Sequence, residues 1–423
     1  MSPPVVAIVD SYAPTKALAD EFVRAGAALV RVQSTPEVPG AYRGPFDLSG
    51  YLDNIVHRGD LTATVDAVAA HRVDAVVPGG EVGVEFTDVL SEKLGLPTNG
   101  TMLSSARRDK YVMVEAVRAA GLTVARQCLV HDAQTLLDWH RDVGGRVVVK
   151  PLRSAGGDGV HFCDTPEQSA AAFEDIANSD NLFSAANEGA VAQEYLRGTE
   201  YMVNTVSRDG RHRVCEVWRT TRIAANGVLD LSDTVYLMSR TGPLQDQLAG
   251  YAFQVLDALG VRHGPAHVEV KLVGGQPVLV EVGARICGAN LPYYAQRAHG
   301  SSQLDWTVEA YLRPQRFHAR IDDPDPAGAY CAFVGLVSPV EGVLKGYPHL
   351  DAIRAMESFA DLRVGVQPGQ RLRRTVNDLT YPVFVVLMHE SEETVLRDAN
   401  TLRYLDGPGF YQLLPDGDSD GRT

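Results

Sequence analysis

Apolar positions in the first hundred residues fall into short runs separated by longer amphipathic stretches: "VVAIVD", "TKALADEFVRAGA", "ALVRVQ", "TATVDAVAAH", "DAVVPGG" and "VEFTDVLSEKLG". Brief runs of β-formers alternating with segments of helical period predict βαβ units on a parallel sheet. Ligands of such a sheet sit beyond the carboxyl ends of its strands, here Asp10 to Tyr12 and Gly79 to Glu81. No G-x-G-x-x-G follows the first strand, so a dinucleotide site is not expected.

"SSARRDKYVMVEAVRAAGL" predicts a helix that starts at its serines and stops before Gly121. Lys110 shares a stripe with Met113, Val117 and Ala120 and so faces inward, unless its stem carries the ammonium out to water. Residues from about 125 to 200 read as a compact αβ lobe, ending in "GAVAQEYLRGTEYMVNTVS". A polar span from about 208 to 245 leads to a helix near 247–259 and to "PAHVEVKLVGGQPVLVEVGARICGANLP", a β-hairpin. The last segment mixes the strands "YCAFVGLVS" and "YPVFVVLMH" with the helical "SEETVLRDANTLRYL", and residues 411–423 are expected to form a disordered tail. No internal repeat is present.

At 423 residues and 45% hydrophobic content the chain predicts two to three packed domains. A net charge of -14 argues against a broad footprint for nucleic acid or an anionic membrane, so small molecules are the expected partners. Five scattered cysteines without a C-x-x-C pair suit a reduced, cytoplasmic protein. The start "MSPPVVAIVDSYAP" lacks the basic region of a signal peptide, and no apolar run approaches a membrane span.

Candidate chemistry begins at "VVVKPLRSAGGDGVHFC". An apolar strand ending on Lys150 needs a negative partner, because an unpaired buried ammonium costs several kcal/mol, on the order given for desolvated ions. The glycines follow the lysine, whereas a P-loop places them before it. Gly156, Gly157 and Gly159 would let backbone N–H groups approach phosphate oxygens; the plain alternative is a solvated turn. In the hairpin, a three-residue loop at 274–276 would set Glu269 opposite Glu281, and Pro277 favours that loop over a two-residue Gly274-Gly275 turn, which would send the acids to opposite faces. Facing carboxylates repel unless a divalent cation joins them. The alternative is an amphipathic hairpin whose polar face includes Lys271.

Two lysines, a small-residue loop and paired acids together resemble the ATP-grasp family, with similarity from about residue 75 to 390. The resemblance implies an α/β protein with an N-terminal Rossmann-like pre-ATP-grasp domain (1–105), an ATP-grasp domain (106–315) with a mobile lid lobe (about 147–195), and a C-terminal β-rich subdomain (316–410). It further implies that Lys110 and Lys150 contact the phosphates of ATP and that the loop from Ser154 to Val160 closes over them. Gln193, Glu194 and the backbone to Leu196 would recognise adenine, Glu200 would bind ribose, and Glu269 and Glu281 would hold Mg²⁺ or Mn²⁺. Two positions depart from the family pattern: Gln193 stands where many relatives have an acid, and Gly283 where asparagine is usual.

"VEVGARICGAN" resembles the dipeptide-forming L-amino acid ligase branch. There Arg285 would meet a carboxylate or acyl phosphate, with Gly288 to Asn290 completing the pocket. The implied reaction is ATP-dependent amide formation through an acyl phosphate by a homodimeric biosynthetic enzyme. His267, two residues before Glu269 on the same strand face, would orient substrate or accept the amine proton; the alternative is a hydrogen-bonded core histidine. Glu81 would hold a substrate ammonium or cap the next helix. Competing readings are a carboxylase or purine-pathway enzyme using carboxyphosphate, and a non-catalytic ATP-binding protein. No biotin-attachment "M-K-M" is present.

Overall fold

The computed structural model describes residues 2–323 and 328–415. Residues 416–423 of the expected tail lie outside the described residues. Two compact units are resolved: Met1–Val217 with Ser239–Asp325, and Trp218–Met238 with Pro326–Thr423.

The first unit opens with strands β1 (Val5–Val9), β2 (Ala28–Gln33), β3 (Asp53–Val56) and β4 (Ala75–Pro78) in the order β3-β2-β1-β4, and β1 pairs in parallel with both β2 and β4. Helix α1 (Lys16–Arg24) packs Leu18 and Phe22 against Val6 and Ile8. Helices α2 (Leu61–Ala70) and α3 (Val84–Lys93) bring Val68 and Leu90 to Val9, Val30 and Val32. Burial on both faces accounts for the unbroken apolar run of β1, each such side chain contributing about 1.5–3 kcal/mol.

Helix α4 (Lys110–Ala119) leads into a four-stranded lobe of β5 (Gln127–Val130), β6 (Val147–Pro151), β7 (His161–Cys163) and β8 (Ala190–Glu194), ordered β5-β8-β6-β7 and antiparallel where paired. Helices α5 (Ala133–Val143) and α6 (Pro166–Ala177) cover it, the latter started by Pro166 and a Thr165/Gln168 capping box. This lobe therefore begins at β5, well before residue 147.

Next come β9 (Thr199–Arg208), β10 (Arg211–Ala225) and β11 (Val228–Met238), helix α7 (Pro243–Ala258), the hairpin β12 (Gly264–Val273) and β13 (Gln276–Gly283), and helices α8 (Leu291–His299), α9 (Gln303–Leu312) and α10 (Pro314–Arg320). Strands β13, β12, β9 and β10 are neighbours in that order. The "polar span" of the sequence is thus two long strands. Their pattern is obscured by buried polar residues, above all Glu216, which accepts hydrogen bonds from the Gln303 backbone (2.7 Å) and the Asn204 amide (2.5 Å).

In the second unit β11, β14 (Tyr330–Leu336), β18 (Val383–His389) and β16 (Phe359–Val364) are successive neighbours. Helix α11 (Leu350–Arg354) precedes β16, and α12 (Glu392–Leu405) packs Val395, Ala399 and Leu402 into the sheet's core. A small sheet joins β15 (Gly342–Gly346) to β17 (Arg371–Leu372) and β19 (Gln412–Leu413). Strand β19 and buried Tyr411 lie within the stretch expected to be tail, so the ordered chain extends further. Among the described residues no helix is long and apolar enough to cross a membrane.

Candidate active site

Lys110 opens α4 because Asp109, not a serine, caps it: the Asp109 carboxylate accepts from the N–H groups of Tyr111 (2.9 Å) and Val112 (3.0 Å). The expected start at the serines is a separate short turn, Ser105–Arg107. Lys110 is buried beside Met113 and Val117, while Ala120 lies past the helix end and is exposed. Its ammonium pairs with Glu281 at 3.0 Å and donates to the carbonyl of Ser154 at 2.8 Å. The Val282 N–H donates to Met113 Sδ at 3.2 Å, which seats α4 on β13.

Lys150 is also buried, yet its Nζ makes no ion pair or hydrogen bond among the described residues. Burial pulls it down from the ordinary lysine value to about 8, with Glu281, Glu269 and Glu200 opposing the fall and Lys110 adding to it. A cation with its value depressed is destabilising while it stays charged. Stability should therefore rise with pH from about 8 towards 10.5, where the unfolded chain still holds the proton and the folded chain does not. Lys150→Met is expected to be the more stable protein at neutral pH and to lose that advantage across this window. Urea unfolding of both proteins at about pH 7 and pH 10 checks this.

The loop behind Lys150 is built on left-handed glycines, with φ of +65° at Gly156, +73° at Gly157 and +65° at Gly159. A Cβ at Gly159 would lie 2.7 Å from Pro151 Cγ, so only glycine allows this close fold-back. Ser154 Oγ donates to Asp158 Oδ2 at 2.6 Å within the loop.

Glu269 and Glu281 stand directly opposite each other, by a route the sequence did not disclose. The hairpin turn is the two-residue Gly274-Gly275, both at positive φ, and Pro277 lies in β13 opposite Leu272. A bulge between Glu269 and Val270 then shifts the register by one residue and returns both acids to one face. No group of three or more His, Cys, Asp or Glu side chains arranged to hold a metal occurs among the described residues. Two facing carboxylates nevertheless fit Mg²⁺, which is usually held by one or two acids together with substrate phosphates.

His267 does not suit the role of proton acceptor. Nδ1 lies 2.8 Å from Asn204 Oδ1 and Nε2 lies 2.9 Å from Glu269 Oε1, so both ring nitrogens face acceptors and both donate. Burial pushes its pKa down, but Cys287 and Glu269 outweigh burial and raise it to about 10. An imidazolium with both N–H groups committed has no lone pair for an incoming proton. These contacts fit the core-histidine alternative, with His267 bracing Glu269.

Arg285 occupies the room a side chain at position 283 would need: a Cβ there would stand 2.9 Å from the Arg285 guanidinium carbon. Glycine in place of the family's asparagine is thus what lets the guanidinium lie over β13. Arg285 Nε pairs with Glu81 Oε2 at 2.8 Å, and Nη1 donates to the Ile286 carbonyl at 2.9 Å. Buried Glu81 also binds Arg108. Burial acts to raise its pKa, but Arg108, Arg285 and Lys110 prevail and hold the carboxyl below its usual range. The expected ammonium acceptor is therefore already engaged, as the brace between two guanidiniums. Gly288 to Asn290 form the turn into α8, with Ala289 and Asn290 in left-handed conformation. A side chain on Gly288 would meet open space. Gly283→Ala is expected to displace Arg285 and to lower turnover about tenfold or more while Mg·ATP affinity holds; steady-state kinetics beside nucleotide titration check it.

Among the residues expected to meet adenine, the buried Gln193 amide donates to Gln127 Oε1 at 3.1 Å, and Glu194 Oε1 accepts from the Arg126 N–H at 2.9 Å. Both side chains are held in the protein, whereas the Leu196 backbone makes no hydrogen bond among the described residues. Glu200 pairs with Lys271 at 3.7 Å, and Lys271 lies 4.9 Å from the centre of the Tyr195 ring. Sequence reasoning passed over Arg108, although it stands in the quoted "RRDK". It also passed over Tyr42, whose ring meets Tyr12 and Phe183 from distant parts of the chain.

Facing carboxylates, two buried lysines and a glycine loop on this architecture accord with an ATP-grasp domain. Residues 143–292 match the family model of the ATP-grasp domain, and the chain carries that domain. Over 418 residues it is 29% identical to dapdiamide A synthase of Enterobacter agglomerans, an alignment covering 97% of each chain. Its fold is shared by the L-amino acid ligase of Bacillus licheniformis (TM-score 0.75, 18% identity, 96% of this chain and 98% of that one). The fold is also that of N5-carboxyaminoimidazole synthetase from Staphylococcus aureus complexed with ADP (TM-score 0.66, 13% identity, 96% and 98%).

Proposed function

We propose that the protein is an ATP-dependent carboxylate–amine ligase that joins two amino acids, or an amino acid and another small acid, through an acyl phosphate. The observation that carries this reading is the Arg285 guanidinium, seated over Gly283 and braced by Glu81 just beyond the facing carboxylates. ATP binding alone does not call for it. End-to-end similarity to dapdiamide A synthase supports the same reaction class.

Lys110 and Lys150 hold the triphosphate, and the loop from Ser154 to Val160 covers it. The Leu196 backbone takes the adenine edge, and Glu200 takes the ribose. Glu269 and Glu281 would hold Mg²⁺ or Mn²⁺, which supplies charge neutralisation on the phosphoryl oxygens. The substrate carboxylate, aligned by Arg285, attacks the γ-phosphorus and ADP departs. An amine then attacks the acyl carbon and expels phosphate. The chain contributes position and electrostatics and no side-chain nucleophile. Gly288 to Asn290 line the substrate side.

ADP release measured against all pairs of amino acids, with mass spectrometry of each mixture, tests the proposal. The expected product has the mass of two substrates less one water. ADP release that depends on bicarbonate and yields no amide would place the protein with the carboxylases.

A further inference from the structure

The acid-binding side of the site and the phosphate loop are joined through Phe183, a residue outside every sequence motif. It lies in the turn between α6 and β8 and is 9% exposed. Its ring centre is 5.9 Å from that of Tyr42, which belongs to the long connection between β2 and β3 and stacks on Tyr12 at 4.6 Å and 10°. The Arg108 guanidinium lies over the Phe183 ring at 5.8 Å, and Arg108 shares Glu81 with Arg285. Gly40 approaches Ser184 so closely that any side chain at position 40 would collide with its hydroxyl.

In the other direction, the Leu182 N–H donates to Asp158 Oδ2 at 2.7 Å, the same oxygen that Ser154 Oγ reaches at 2.6 Å. Ser154 in turn offers its carbonyl to Lys110. Asn181 Nδ2 donates to the Arg153 carbonyl at 3.0 Å, and Arg153 pairs with Glu85 of α3 at 2.9 Å. One continuous path therefore runs from Arg285 through Glu81, Arg108 and Phe183, and by its chain neighbour Leu182 to Asp158 in the glycine loop.

We infer that Phe183 is a positioning residue that couples occupation of the acid site to closure of the Ser154–Val160 loop, so that ATP is spent only when an acid is in place. Substrate held by Arg285 fixes the guanidinium pair about Glu81; Arg108 and Tyr42 then hold Phe183, and Asp158 passes that order to the loop. When the path is cut, the loop closes without regard to the acid, and a water left in the empty acid site attacks the γ-phosphorus to release ADP and phosphate.

The product readout rests on the ligase reading. Phe183→Ala is expected to release ADP without acid about five- to 150-fold faster than wild type, the span of ordinary coupling factors, and to exceed one ADP per amide formed. Phe183→Leu should restore most of the coupling. Hydrogen exchange in Mg·ADP, with and without a panel of amino acids, supplies an independent readout. Wild type should gain protection at residues 154–160 when acid is added, and Phe183→Ala should not. An unchanged ADP-to-amide ratio together with unchanged acid-dependent protection would overturn the inference, even if kcat fell. If wild type forms no amide with any pair, the ligase reading falls and the exchange comparison still decides the coupling.

Discussion

Arg285→Ala is expected to lower kcat by about 10²- to 10³-fold, the usual cost of deleting one preorganised group that meets charge developing in a transition state. Affinity for Mg·ATP should stay within about twofold, because Arg285 is committed to Glu81 and the Ile286 carbonyl and makes no contact with Lys110 or Lys150, the proposed phosphate ligands. Arg285→Lys should recover little: an ammonium is a point charge and cannot keep Nε on Glu81 while its remaining N–H groups meet a carboxylate. Rapid-quench measurement of acyl phosphate would separate loss at the first step from loss at the second. Undiminished turnover in Arg285→Ala would remove this residue from the chemistry.

Glu281→Ala should have the second large effect, raising the Mg²⁺ concentration for half-maximal rate by about 100-fold or more, since even outer partners of a metal site cost 10- to 100-fold. Glu281 is bound at once to its cross-strand neighbour's field and to Lys110, 3.0 Å away. Its removal therefore takes away a carboxylate and leaves a buried ammonium short of one partner. Glu281→Gln keeps the shape and should fail almost as badly, which separates charge from packing. Rates across an Mg²⁺ series, beside urea unfolding of each variant, give both readings.

Much of this was legible in the chain. The parallel N-terminal sheet, the inward Lys110 and Lys150, and the glycine loop follow from local period and from the cost of burying charge. The pairing of Glu269 with Glu281 was reached through the wrong turn, because a bulge inside a regular strand leaves no mark in the apolar pattern. Strands β10 and β11 were read as a polar span because buried Arg213, Glu216 and Asp230 look like surface residues until their partners are known. His267 and Glu81 stand out in the sequence by position alone, yet their chemistry depends on Asn204, Arg108 and Arg285, which come from other elements. Phe183 is an aromatic in a loop, and only its tertiary neighbours give it a role.

The central claim is that a carboxylate attacks the γ-phosphorus. The direct measurement uses an acid substrate labelled with ¹⁸O in both carboxyl oxygens, with mass analysis of the inorganic phosphate released. The account predicts one ¹⁸O in each phosphate formed per amide. Phosphate free of label alongside amide product would mean that no acyl phosphate forms, and would contradict it.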